Sequence, residues 1–187
     1  LWRAKQGASD MVVERVANIA AGGDSSYPEC LVAVGDRGYF KANGGAADGV
    51  ELWRSDGTET GTVLVKDIQP GSGGAHPRDM IDFGGRLLFT AIDDVHGREL
   101  WTSDGTSGGT TMVKDINPSG DGGPRYLTTI ASDIAFAANN GTDGIELWRS
   151  DGTAGGTTMV KDIHPSGDGN PFYFAVLGDQ LYFTAED

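Results

Sequence analysis

The chain has 187 residues, 30 of them glycine and 38% hydrophobic, enough for one domain with a sizeable core, and so much glycine suits short strands and tight turns better than long helices. A formal net charge of −13 makes DNA, RNA and anionic lipid poor partners, because their surfaces repel the protein's mean field, and it leaves cations and neutral ligands. No apolar run reaches membrane-spanning length, so no membrane insertion is expected, and the single Cys30 cannot close an internal disulfide.

The chain opens on Leu1-Trp2 instead of a Met and a signal-like stretch, which reads as a piece of a precursor or larger polypeptide. Trp2 stands in a slot that Trp53, Trp101 and Trp148 fill later, so the repeat begins at the first residue. The words ELWRSDGT, ELWTSDGT and ELWRSDGT start at Glu51, Glu99 and Glu146, spaced by 48 and 47 residues. Each leads through a Gly-Thr pair to VKDI, ending at Ile68, Ile116 and Ile163. The first unit has drifted furthest, with Ala4-Lys5-Gln6-Gly7 in place of Ser-Asp-Gly-Thr and Val16-Ala17-Asn18-Ile19 in place of VKDI.

Within a unit the pattern predicts four short strands, for example Asp79 to Phe83, Arg86 to Ala91, Glu99 to Ser103 and Thr110 to Ile116. Asp104-Gly105 tolerates the positive φ of a hairpin turn, and Gly84-Gly85 and Gly178-Asp179 do the same between the first two strands. All seven prolines fall in the connection between a fourth strand and the next first strand, where no ladder donor is lost. Each unit is then a four-stranded antiparallel meander, and several such meanders bury their faces when packed radially. The expected fold is all-β, a single four-bladed β-propeller over 1–187. Its blades are 28–68, 77–116, 124–163 and a joint blade of 1–19 with 172–187 that closes the ring. Four repeats of a longer array, whose ring has five or more blades, is the alternative.

The turns after strands one and three share one end of the blades, and the longer connections share the other. That second end is rich in carboxylates: Asp24, Asp48, Asp93, Asp94, Asp121, Asp143, Asp168, Glu186 and Asp187. Calcium takes oxygen ligands of this kind, so Asp48, Asp93, Asp94 and Asp143 are the candidate Ca²⁺ ligands, although no EF-hand spacing is present. Asp121, Asp168, His96 and His164 are candidates for binding a glycan or protein at the same loops. His76, His96 and His164 lie in different loops without metal-binding spacing and read as exposed loop residues. Cys30 opens the apolar run CLVAV and reads as a small core residue. The recurring Trp2, Trp53, Trp101 and Trp148, the turn residues Asp56, Asp104 and Asp151, and Asp67, Asp115 and Asp162 of VKDI read as structural, because every unit repeats them. No nucleophile elbow, Walker-type loop or paired catalytic carboxylates occur.

The words ELWRSDGTETGTVLVKDIQPG, ELWTSDGTSGGTTMVKDINPSG and ELWRSDGTAGGTTMVKDIHPSG resemble the bacterial repeat family named for its ELWxxDGT signature. The likeness covers residues 51 to 187, with the first 50 matching in outline. It implies a secreted or cell-surface protein with no assigned enzymatic activity. The function expected is a non-catalytic binding or scaffolding module whose acidic loop face meets Ca²⁺, a glycan or a protein. The rivals are a glycan hydrolase using loop carboxylates, with Asp93, Asp94 and Asp143 as its first test, and a structural repeat that self-associates.

Overall fold

The computed structural model describes residues 1–7, 10–20 and 25–187. Among the described residues every regular element is a strand, and every sheet is an antiparallel meander or hairpin. The first meander runs through β3 (Glu29–Val34), β4 (Arg37–Asn43), β5 (Val50–Ser55) and β6 (Val63–Lys66). The second is β7 (Arg78–Phe83), β8 (Arg86–Asp93), β9 (Gly97–Ser103) and β10 (Thr111–Lys114). The third is β11 (Arg125–Ile130), β12 (Asp133–Asn139), β13 (Ile145–Ser150) and β14 (Thr158–Lys161). Two hairpins flank them, β1 (Trp2–Gln6) with β2 (Met11–Arg15), and β15 (Phe172–Leu177) with β16 (Gln180–Thr184).

The middle strands are apolar on both faces because each meander lies between two neighbours. Along β8, Leu87, Phe89 and Ala91 join a core with Val34, Tyr39 and Leu52 of the first meander. The alternate residue Leu88 faces the other way, into a core with Ile134, Phe136 and Trp148 of the third. Strand periodicity of two thus feeds two interfaces from one strand, which is why these runs lack the polar alternation of a half-exposed sheet. Gly84 and Gly85, at φ of 61° and 79°, turn β7 into β8 with the double left-handed geometry that fits the twist of a tight hairpin.

The first strands lie side by side in chain order, β3 against β7, β7 against β11 and β11 against β15. Residues 1–19 and 172–187, expected to share one blade, each contribute a hairpin. The two hairpins are separate two-stranded sheets, with no ladder between them. The amino-terminal one meets the first meander, where Arg3 Nη1 donates to Gly57 O at 2.6 Å, and the carboxy-terminal one adjoins the third.

Candidate functional site: the cleft across the first strands

Each first strand carries a bulge at the same place. The pairing register slips between Glu29 and Val32, Arg78 and Ile81, Arg125 and Thr128, and Phe172 and Ala175. At each slip one residue is left-handed: Cys30 (φ 57°), Asp79 (48°), Tyr126 (63°) and Tyr173 (57°). None is glycine, so each of the four positions holds backbone strain of about 1–3 kcal/mol that a glycine would relieve. The bulge re-aims the side chain out of the sheet. Cys30, expected in the core, is exposed for this reason.

Asp79, Tyr126 and Tyr173 line one cleft of about 500 Å³ that crosses β7, β11 and β15. Tyr126 is 48% exposed and Tyr173 78%, a large outlay of aromatic surface to solvent. The Asp79 carboxylate accepts the Tyr126 backbone N–H at 3.2 Å and so ties neighbouring strands together across the cleft. Phe174, also in the lining, meets the Tyr126 ring edge-on with centroids 6.3 Å apart. Arg125 lays its guanidinium 5.7 Å from the Tyr126 ring centre, while its Nε is buried without a hydrogen-bond partner. A carboxylate, phenolic hydroxyls and open aromatic faces can hold a polyhydroxylated ligand with apolar ring faces.

The acidic loop residues are spent differently. Asp93 caps its own turn, accepting the Val95 and His96 N–H groups at 3.0 and 2.6 Å and meeting the His96 ring at 2.9 Å. Burial opposes ionisation of Asp93, but these donors outweigh it and hold the carboxyl below its usual range. The Asp93 contact in turn raises the His96 pKa. Asp94 accepts from Gln69 Nε2 at 2.8 Å, and Asp143 from Asn140 Nδ2 at 2.7 Å. Asp121 and Asp168 accept the backbone N–H of Arg98 and Ile145, both at 2.8 Å, pinning each long connection to the start of a third strand. Asp48 is half-buried against Gly44. His164 is half-buried with Nδ1 unpartnered, and His76 and His96 are half-buried too, so the histidines are less exposed than their loop positions suggested. Among the described residues no three His, Cys, Asp or Glu side chains gather to hold a metal, and Asp24 lies outside the described residues.

The repeated words have local uses. Asp56, Asp104 and Asp151 each accept the N–H and hydroxyl of the threonine two residues on, at 2.7 to 2.9 Å, and their pKa values are lowered by those bonds. Glu51, Glu99 and Glu146 are fully buried, and their carboxylates accept backbone N–H groups of the VKDI isoleucine and of the connection that follows it. Burial pushes Glu51 and Glu99 up to about 7 against the pull of those donors and with a smaller push from Asp67 and Asp115. Asp115 and Asp162 each keep one buried oxygen without a partner, whereas Asp67 is exposed. Trp101 and Trp148 are buried to 7% and 5% exposure and Trp53 is half-buried, while Trp2 stands 65% exposed.

Tyr126 and Tyr173 carry no motif that singles them out in the sequence. The available signal was variability inside a repeating frame: one slot reads Cys, Asp, Tyr and Tyr while the words around it recur. Comparison with protein-family models, curated proteins and solved structures finds no match.

Proposed function

We propose that the meanders are blades of a β-propeller-type array of the ELWxxDGT kind, and that the chain is a non-catalytic extracellular or cell-surface module binding a neutral glycan in the first-strand cleft. The observation that carries this reading is the pair of exposed tyrosines, Tyr126 and Tyr173, held left-handed at equivalent bulges beside the Asp79 carboxylate. Strain retained at a repeated position, with large aromatic faces open to water, favours a ligand that stacks. Calcium at the acidic loops has less support, since most of those carboxylates already accept hydrogen bonds, Asp93 and Asp143 within their own turns and Asp94, Asp121 and Asp168 from donors elsewhere in the chain.

The test is isothermal titration of the chain against a panel of soluble neutral oligosaccharides. A responsive glycan should lose about ten-fold or more in affinity with Tyr173→Ala and with Tyr126→Ala, while the melting temperature changes little for the more exposed Tyr173. Equal affinity in both variants, or no binding across the panel, would overturn the assignment of the cleft.

A further inference from the structure

We propose, resting on the assignment of the first-strand cleft as a glycan site, that the cleft selects sugars carrying a free amino group over their neutral counterparts, with the Asp79 carboxylate as the counter-ion of the ammonium. Asp79 is the one carboxylate lining the cleft, and among the described residues no lysine, arginine or histidine lines it. The slot that holds Tyr126 in the third meander and Tyr173 in the last hairpin holds Asp79 in the second, at φ of 48°. Charge and aromatic faces therefore enter one cleft from equivalent bulges.

That carboxylate has acceptor capacity left over. It takes the Tyr126 backbone N–H at 3.2 Å and, among the described residues, forms no ion pair. The arginines of this region are engaged elsewhere: Arg98 donates to His76 O and Thr90 Oγ1, both at 3.1 Å, and Arg125 lays its guanidinium against the Tyr126 ring. Other carboxylates of the chain do have cationic partners, Glu29 meeting Lys41 Nζ at 2.9 Å and Asp133 meeting Arg149 Nη1 at 3.0 Å.

An ammonium suits such a site on two counts. It donates charge-assisted hydrogen bonds to the open carboxylate oxygen, and it is drawn to the negative faces of the neighbouring rings, as the Arg125 guanidinium already is to Tyr126. An N-acetyl group on the same sugar offers a single neutral N–H and loses both gains. A uronate or sulfate is opposed by Asp79 at short range and by the net charge of −13 at long range.

The test is isothermal titration of the chain with two probes of one linkage, a glucosamine tetramer and its fully N-acetylated counterpart, at a pH where the sugar amines are protonated. The glucosamine tetramer should bind about ten-fold tighter, and added salt should shrink the difference. Asp79→Asn keeps an acceptor for the Tyr126 N–H and a residue type that tolerates the left-handed backbone, so the melting temperature should hold while the preference disappears. Glu59→Gln, which removes one exposed charge from the turn between β5 and β6, should keep the preference. Equal affinity for the two tetramers, or a preference that survives Asp79→Asn, would overturn the role of Asp79 and leave the cleft as a glycan site. A preference lost equally in Glu59→Gln would overturn it too, by assigning the effect to overall charge. Binding of neither tetramer would overturn the amino-sugar preference, and binding of no glycan in the wider neutral panel would remove the glycan site itself.

Discussion

A methyl group at Gly109 would run into the Asp104 carboxylate, whereas one at Gly108, its neighbour, would meet nothing within 4 Å. The reason lies in the turn. Asp104 folds back on Thr106, whose hydroxyl accepts the Gly109 N–H at 2.9 Å, and Gly61 and Gly156 repeat the approach to Asp56 and Asp151. The second glycine of the DGTxxGT word is thus required by a close approach, whereas Gly108, at a position the word leaves open, is not. Gly109→Ala should cost about 1–3 kcal/mol in denaturant unfolding and Gly108→Ala close to none. Equal costs would mean that the Asp104 carboxylate can move aside freely. The turn was legible in the sequence as an Asp-Gly hairpin. The close approach was not, because it depends on which way the aspartate side chain folds.

At the scale of the element, burial follows the number of neighbours a strand has. β12 is buried on both faces, paired with β11 and β13 in a meander that lies between the second meander and the carboxy-terminal hairpin, while β16 keeps one ladder edge open. Phe136 is fully buried, and its counterpart Phe183 is only half-buried against Phe174 at 5.8 Å. Phe136→Ala should therefore cost about 3–5 kcal/mol and Phe183→Ala less than half of that in the dilute monomer, read by chemical denaturation. The strand pattern alone marks the two phenylalanines as equals, since repeats look alike residue by residue. Their difference comes from contacts between elements distant in the chain. The same holds for the first strands: alternation marks them as strands, but the bulge that turns Cys30, Asp79, Tyr126 and Tyr173 outward is a slip in pairing, invisible until two strands are laid together.

For the whole molecule, the acidic balance and the buried glutamates act in the same direction. Glu51 and Glu99 titrate at about 7 when folded, against 4.5 as the ordinary value, so the folded state binds more protons than the unfolded one between those limits. Their contribution to stability is complete below 4.5 and is lost as the pH rises through 7. His96, with its raised pKa, adds in the same sense, while Asp56, Asp104 and Asp151, held low, protect the fold until the pH drops below the ordinary carboxylate range. The melting temperature should accordingly be several degrees higher at pH 5.5 than at pH 8, a condition at which all six groups are favourably placed. Glu99→Gln should flatten that slope. An unchanged slope in the variant would show that Glu99 keeps its charge throughout.

The sequence by itself determined the strand count per unit, the antiparallel order and the turn positions, because these depend on local propensity and on a pattern repeated at fixed spacing. It also showed that the chain holds half a unit at each end. Only the tertiary structure decided that those halves form separate two-stranded sheets with Trp2 exposed, and that Asp79, Tyr126 and Tyr173 line one cleft across the first strands. The physical reason is common to both: ladder pairing between hairpins, the slip that makes a bulge, and the capture of a carboxylate by a particular N–H are all set by groups brought together from different parts of the chain. Composition and periodicity carry no information about which of several equivalent partners is met.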